Sequence, residues 1–133
     1  MKIFRTILIG ITMALATPAL ADNVRHETVR FAAGTSGSTI NSKIKGYDTV
    51  EYKVGVSAGQ KMSVELDSKN GSLYFKVTAP GASEAMYNSS VAGNGTSITI
   101  PSTGDYVIQV YLMRNAARRE ETAAYTLTLY VSP

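Results

Sequence analysis

Apolar and polar residues alternate along most of the chain, a pattern that places successive side chains on opposite faces of a β-strand. The alternation is clearest in the last third, in two stretches at residues 106–112 and 125–131. Each stretch carries four apolar residues at alternate positions: Tyr106, Ile108, Val110 and Leu112, then Tyr125, Leu127, Leu129 and Val131. Both strands are therefore expected to present one apolar face to a shared core.

A long polar segment separates these two strands. Residues 114–121 read RNAARREE, whereas a hairpin loop needs only about two to five residues. The length and charge of this segment therefore need a reason beyond reversal of the chain.

The same alternation predicts further strands upstream, separated by turn residues. The patterns cover residues 28–31, 38–45, 50–56, 62–67, 73–78, 84–87 and 98–100. Asn70 and Gly71 form the dipeptide that is typical of a tight hairpin turn. About eight short strands and no convincing helix indicate an all-β fold, an antiparallel β-sandwich or jelly roll, with a compact barrel as the alternative.

The first 21 residues are typical of a secretory signal peptide. Two basic residues precede an apolar run at residues 7–15, and small residues at positions 19 and 21 supply a cleavage site before Asp22. The apolar run is shorter than the roughly 20 residues of a membrane-spanning helix. We predict a signal peptide at residues 1–21, a single domain at residues 22–133, and no membrane span in the mature chain.

Charge and composition argue against several classes of function. Removing Lys2 and Arg5 with the signal peptide leaves 11 basic residues against 10 acidic ones, unlike the balance of a nucleic-acid-binding domain. One histidine, His26, and no cysteine leave no catalytic triad, no zinc-ligand spacing and no disulfide. No glycine-rich phosphate loop precedes a helix. We therefore expect no enzymatic activity, no metal and no cofactor.

The arginines of segment 114–121 are the strongest candidates for binding a partner. Arg114 and Arg118 are four residues apart, so one helical turn would place both guanidinium groups on one side, with Arg119 beside them. A guanidinium binds a carboxylate through two parallel hydrogen bonds, so a rigid loop of this kind suits an acidic cleft. The alternative is a solvated loop in which arginines and glutamates pair locally.

A second candidate is the pair Tyr47 and Asp48, which lies between two predicted strands. An exposed tyrosine is a frequent anchor in protein interfaces. Equally, the tyrosine can close the end of the sandwich while the aspartate caps the turn. The pair by itself does not decide between these interpretations.

The chain contains four distinctive segments, which are IKGYD at 44–48, AGQK at 58–61, PSTGDY at 101–106 and RNAAR at 114–118. Together they resemble the periplasmic inhibitors of goose-type (g-type) lysozyme, and the resemblance extends over residues 31–131. AGQK and PSTGDY are also similar to the bacterial pre-peptidase C-terminal domain, a β-sandwich accessory module. IKGYD and RNAAR are the segments that favour the inhibitor family.

The resemblance implies a periplasmic, non-enzymatic β-sandwich that blocks a host or rival muramidase, a role in bacterial defence against innate immunity. The implied partner is g-type lysozyme, which cleaves peptidoglycan with carboxylic acids. The implied lysozyme-binding residues belong to the two segments described above: Tyr47, Asp48, Arg114, Asn115, Arg118 and Arg119. In this interpretation the helical turn enters the cleft, Arg119 pairs at its rim, and the tyrosine and aspartate make a second contact.

An alternative of another class is a non-catalytic envelope module that binds peptidoglycan or another glycan. Tyr74, Tyr87 and Tyr111 are candidates for stacking on sugars, although tyrosines in strands are more often packing residues. The inhibitor hypothesis has a specific structural requirement, because it needs Tyr47, Asp48 and the arginines to lie at one end of the sandwich.

Overall fold

The structure, a computed structural model, describes residues 23–31 and 36–133. The predicted signal peptide, Asp22 and part of the predicted turn at 34–37 lie outside these described residues. Within them, nine strands and two short helices follow one another: β1 (Val24–Thr28), β2 (Gly37–Lys45), β3 (Thr49–Val56), β4 (Lys61–Ser68), β5 (Leu73–Thr78), β6 (Tyr87–Asn88), α1 (Ser89–Ala92), β7 (Gly95–Thr99), β8 (Gly104–Leu112), α2 (Arg114–Arg118) and β9 (Thr122–Ser132).

The strands form two sheets. One has the order β1-β3-β8-β5-β6 and the other the order β2-β9-β4-β7. Every pairing is antiparallel except that of β1 with β3, which is parallel. The predicted all-β sandwich is therefore confirmed, with nine strands among the described residues instead of about eight.

The core lies between the sheets and is built from alternate residues of the long strands. The two terminal strands contribute as their alternation predicts: Tyr106, Ile108, Val110 and Leu112 of β8 and Tyr125, Leu127, Leu129 and Val131 of β9 are all buried. The inward faces of β3, β4 and β5 supply most of the remaining buried apolar residues: Val50, Tyr52, Val54, Val56, Met62, Val64, Leu66, Leu73, Phe75 and Val77.

Most connections between successive strands cross from one sheet to the other. β8 belongs to the five-stranded sheet and β9 to the four-stranded sheet, so the segment between them spans the end of the sandwich instead of closing a hairpin. The prediction of a hairpin at Asn70 and Gly71 is wrong for the same reason, since β4 and β5 lie in different sheets. Asn70 instead accepts a hydrogen bond from the Ser72 N–H through its side-chain oxygen, at 2.9 Å.

Two predicted strands are displaced in the structure. The strand predicted at residues 28–31 lies instead at Val24–Thr28, at the edge of its sheet, where all five residues are exposed. Val29 and Phe31 pack against the core beyond the strand, so their apolar character reflects burial and not strand pairing. The strand expected at 84–87 is only the two residues of β6.

One polar contact joins the two sheets inside the core. Tyr52 of β3 and Tyr125 of β9 are buried, and their hydroxyl oxygens are 2.7 Å apart. Burial, followed by the hydrogen bond with Tyr125, raises the pKa of Tyr52 above its usual range. Each hydroxyl thus satisfies the other where a lone hydroxyl would be costly.

We expect Tyr52→Phe to lower the free energy of unfolding by about 1 to 3 kcal/mol, because it leaves the Tyr125 hydroxyl buried without this partner. Adding Tyr125→Phe should restore part of the loss, since no hydroxyl then remains to be satisfied. Urea denaturation of the wild type, the single variant and the double variant measures both effects. A second loss as large as the first would contradict this interpretation.

Candidate functional site

The two candidate segments lie at the same end of the sandwich. The Gly46 N–H, in the turn that carries Tyr47 and Asp48, donates a hydrogen bond to the Glu121 carbonyl oxygen at 3.0 Å. Gly46 has a φ of 61°, in the left-handed region that glycine adopts without strain. The adjoining strand register pairs Lys45 with Thr122. The turn after β2 and the segment before β9 are therefore held together by backbone contacts.

The arginine segment forms the short helix α2, so the helical turn that would bring Arg114 and Arg118 to one side is present. Its inward side carries Ala116 and Ala117, which are 0% and 1% exposed. Arg114 and Arg118 lie four residues apart on the exposed surface of the same helix. The two alanines close this end of the core and direct the arginines outwards.

Backbone hydrogen bonds fix the end of α2. The Glu120 N–H donates to the Ala117 carbonyl at 2.9 Å, and the Glu121 N–H donates to the Ala116 carbonyl at 3.2 Å. With Glu120 at a φ of 53°, this is the pairing of a Schellman motif, which closes a helix through one left-handed residue. A glutamate occupies the position where glycine is usual.

Arg119 is engaged locally. Its guanidinium contacts the Glu121 carboxylate, with Nε to Oε2 at 2.8 Å and Nη2 to Oε2 at 2.7 Å. The Asn70 side-chain amide donates to the other oxygen of that carboxylate at 3.1 Å. Arg119 first, and then Asn70, hold the pKa of Glu121 below its usual range. The local pairing considered for the whole loop thus applies to Arg119.

The remaining candidate residues are available at the surface. Among the residues that the structure describes, Arg114 and Arg118 form no ion pair. Tyr47 is 46% exposed. Asp48 is half-buried and lines a cleft between β1, β2 and β3. Asn115 is exposed, although its side-chain oxygen accepts a hydrogen bond from the Ala116 N–H at 2.9 Å.

Met113 is a further exposed residue at this end that the sequence analysis did not identify. It is 43% exposed and directly precedes α2, and its N–H donates to the Ser72 carbonyl at 2.9 Å. Methionine, tyrosine and arginine are enriched in protein interfaces. The sequence pattern does indicate this exposure: Met113 directly follows the inward-facing Leu112, so the alternation places its apolar side chain on the outward face.

The tyrosines proposed for glycan stacking take part in internal packing. The Tyr111 hydroxyl donates to the Asn88 side-chain oxygen at 2.8 Å, and the Tyr74 and Tyr111 ring centroids are 6.4 Å apart. Tyr87 stacks on Phe75, with ring centroids 5.5 Å apart, and donates from its hydroxyl to the Gly93 carbonyl. All three tyrosines are only partly exposed.

No three histidine, cysteine, aspartate or glutamate side chains of the described residues cluster in a way that could hold a metal ion. No helix in residues 23–31 and 36–133 has the length and apolar character needed to cross a bilayer.

Comparison with known proteins identifies the family. No family model matches the sequence. The crystal structure of a periplasmic inhibitor of g-type lysozyme from Aeromonas hydrophila is 33% identical in sequence and superposes with a TM-score of 0.79, over 84% of this chain and 100% of that one. This chain belongs to the family of periplasmic inhibitors of g-type lysozyme.

Other members of the family are more distant. The inhibitor of g-type lysozyme from Escherichia coli is 26% identical over 123 residues, which cover 90% of each chain. The structure of the Salmonella Typhimurium inhibitor is 28% identical, with a TM-score of 0.67 over 81% of this chain and 98% of that one. These relatives are named as inhibitors and not as enzymes. The family and the periplasmic location implied by IKGYD and RNAAR are therefore confirmed.

The more distant resemblance concerns the fold alone. The pre-peptidase C-terminal domain of a Bacillus anthracis collagenase is 16% identical and has a TM-score of 0.54 over 84% of this chain and 96% of that one. The fold is thus shared with this domain, while the higher sequence identity is with the inhibitors.

We expect Glu120→Gly to raise the free energy of unfolding by about 0.5 to 1 kcal/mol. A non-glycine residue in the left-handed region costs about 1 to 2 kcal/mol, and the greater freedom of glycine in the unfolded chain offsets part of the gain. Thermal or urea denaturation measures the change, with Glu84→Gly as the control at another exposed glutamate. A loss of stability in Glu120→Gly would show that its side chain supports the helix end.

Proposed function

We propose that this chain inhibits g-type lysozyme by inserting the end of the sandwich that carries α2 and the turn at residues 45–48 into the muramidase cleft. Membership of the inhibitor family supports the partner. The observation that carries the mode of action is the hydrogen bond from the Gly46 N–H to the Glu121 carbonyl, which joins the turn that bears exposed Tyr47 to the segment that follows α2. The arginines of α2 are exposed, and the other side of that helix is buried.

The chemistry of the partner suits this surface. Glycoside hydrolases use a pair of carboxyl groups flanking the bond that they cleave. A guanidinium forms short, charge-assisted hydrogen bonds with a carboxylate, and these strengthen where water is excluded. Arg114 and Arg118, which form no ion pair within the described part of the chain, are the groups that would occupy such a cleft.

The rigidity of this end also favours binding. Ordering a mobile loop on association lowers affinity, whereas a loop already fixed in its bound shape avoids that cost. α2 is fixed by the burial of two alanines, by its Schellman closure and by the bond from Gly46 to Glu121. We infer that the loop binds lysozyme without refolding.

The other candidate residues have supporting roles in this proposal. Tyr47 and Met113 provide exposed apolar surface next to the charged groups. Asp48 and Asn115 offer polar contacts beside them. Arg119, already paired with Glu121, would lie at the rim of the cleft. The acting form would be the single domain 22–133, released by cleavage after the signal peptide at 1–21.

We expect the double variant Arg114→Ala, Arg118→Ala to lose most inhibition while keeping its fold. Removing an arginine that pairs with a buried carboxylate costs about 2 to 5 kcal/mol of binding, which is roughly 30-fold to several thousand-fold in affinity. The measurement is lysis of a cell-wall substrate by g-type lysozyme at increasing inhibitor concentrations, with thermal denaturation as the test of folding.

Arg30→Ala is the control for the loss of one exposed arginine, since Arg30 follows β1 and lies outside α2 and the turn at residues 45–48. It should change affinity by well under about 1 kcal/mol, as is usual for exposed charges. Full inhibition by the α2 double variant would refute the proposed mode of action. Sedimentation of the wild-type protein with purified cell wall, combined with undiminished lysis, would support the glycan-binding alternative instead.

A further inference from the structure

Two adjoining grooves, of about 620 Å³ and 500 Å³, run along the outer face of the four-stranded sheet. The first is lined mainly by residues of β2, β4 and β9, and the second by residues of β4, β9 and the start of β7. Asp67 and Thr126 line both, so the two form one continuous channel, called here the sheet groove. Each volume falls within the range of ligand sites, roughly 300 to 1,000 Å³.

The strand register arranges the outward side chains of this face in rows. Asn41 of β2 and Asp67 of β4 flank Thr126 of β9. The next row along β9 repeats this arrangement with Thr39, Thr128 and Glu65. Successive rows are about 7 Å apart, because a strand rises about 3.4 Å per residue. The face is therefore a regular array of hydroxyl, amide and carboxylate groups.

The row around Thr126 combines donors and acceptors of hydrogen bonds. The Thr126 hydroxyl donates to the Asn41 side-chain oxygen at 2.7 Å, which fixes the orientation of the amide. The amide nitrogen carries two N–H donors, and the Asp67 carboxylate on the other side of Thr126 is an acceptor. Both side chains are exposed. Sugar hydroxyls donate and accept hydrogen bonds, so this arrangement suits them.

The third row supplies an aromatic ring. Tyr130, two residues beyond Thr128 on β9, is 52% exposed and pairs in register with Gly37 of β2. A Cβ atom at Gly37 would lie 3.4 Å from Cδ2 of Tyr130, so the ring lies beside a position that has no side chain. The open ring face is therefore able to stack on the apolar face of a sugar.

The composition of this face argues against other classes of ligand. The carboxylates of Glu65 and Asp67 lie near its centre and repel phosphate groups, which argues against nucleic acid. The centre of a protein interface is usually apolar, whereas the central strand here presents Thr126 and Thr128. A ligand with many hydroxyls and one apolar face matches both the polar rows and the tyrosine. A glycan has this chemistry.

We propose that the sheet groove binds a glycan strand of peptidoglycan, with Asn41 and Asp67 bonding to sugar hydroxyls and Tyr130 stacking on a sugar ring. Peptidoglycan is the polymeric glycan of the periplasm, where this family is found, and it is the substrate of muramidases. Tyr130 lies eight residues along β9 from Thr122, about 25 Å from the segment that follows α2. Wall binding would therefore concentrate the inhibitor at the substrate of its target while α2 stays accessible. This inference goes beyond the proposed function and does not depend on it.

The test is sedimentation of the protein with purified peptidoglycan sacculi. Tyr130→Ala and the double variant Asn41→Ala, Asp67→Ala should each bind about tenfold more weakly, through loss of stacking and of two hydrogen bonds. Tyr130→Phe should bind like the wild type, because stacking needs only the ring. Tyr74→Ala is the matched control, since Tyr74 is a partly exposed tyrosine on the outer face of the other sheet, and it should also bind like the wild type.

Soluble β-1,4-linked oligomers of N-acetylglucosamine distinguish the glycan from the peptide stems of the wall. Release of the sedimented protein by these oligomers supports the proposal, and its retention overturns it. Unchanged wall binding in Tyr130→Ala and in the double variant, an equal loss in Tyr74→Ala, or no sedimentation of the wild type also overturns it. Self-association that Tyr130→Ala abolishes, measured by analytical ultracentrifugation, would show that a second copy covers this face instead.

Binding to purified g-type lysozyme in the absence of cell wall separates this inference from the proposed function. The sheet-groove variants should keep wild-type affinity for the enzyme and a wild-type denaturation midpoint, whereas Arg114→Ala, Arg118→Ala should lose the enzyme and still sediment with sacculi. Loss of lysozyme binding in folded Tyr130→Ala would assign this face to the enzyme and overturn the glycan proposal. The wild-type protein should both sediment with the wall and inhibit its lysis.

Discussion

The burial of Ala116 and Ala117 is the constraint on which the functional end of this protein depends. β8 and β9 lie in different sheets, so their connection must pass over the exposed end of the core. A helical turn with two small apolar residues covers that end without adding bulk. The same helical geometry then directs Arg114 and Arg118 to the outside. Closing the core and presenting the arginines are therefore two results of one local structure.

Ion pairing around α2 distinguishes charged side chains that are paired within the fold from those that remain available to a partner. Arg119, Glu121 and Asn70 form a connected cluster that joins the end of α2 to the turn between β4 and β5. Exposed ion pairs of this kind contribute little stability, so their effect lies mainly in orientation. Glu120 keeps a left-handed conformation that its side chain does not favour. Several weak interactions thus favour the same conformation at this end of the sandwich.

The sequence predicts the layers of this fold better than its connections. Alternation identifies the inward faces of β8 and β9, because burial is a local property of each strand. It does not identify partners: Asn70 and Gly71 suggest a hairpin, while long-range packing places the flanking strands in different sheets. β1 escapes detection because both of its faces are exposed.

The candidate site was predictable in part. The spacing of Arg114 and Arg118 predicts a shared helical face, and family resemblance adds Tyr47 and Asp48. The backbone hydrogen bond from Gly46 to Glu121 and the extent to which Met113 is exposed depend on contacts between residues distant in sequence. The alternation of apolar and polar residues therefore does not predict them. Arg119 could be assigned only once its distance to Glu121 was known.

The proposed mode of inhibition requires this end of the sandwich to be ordered before it meets a partner. Amide hydrogen exchange of the free protein tests it most directly, because exchange reports local opening. We expect the N–H groups of Gly46, Ala117 and Glu121 to exchange at rates close to those of the core strands. Exchange as fast as at the exposed residue Ser83 would contradict this expectation, since the arginines would then sit on a loop that orders only on binding.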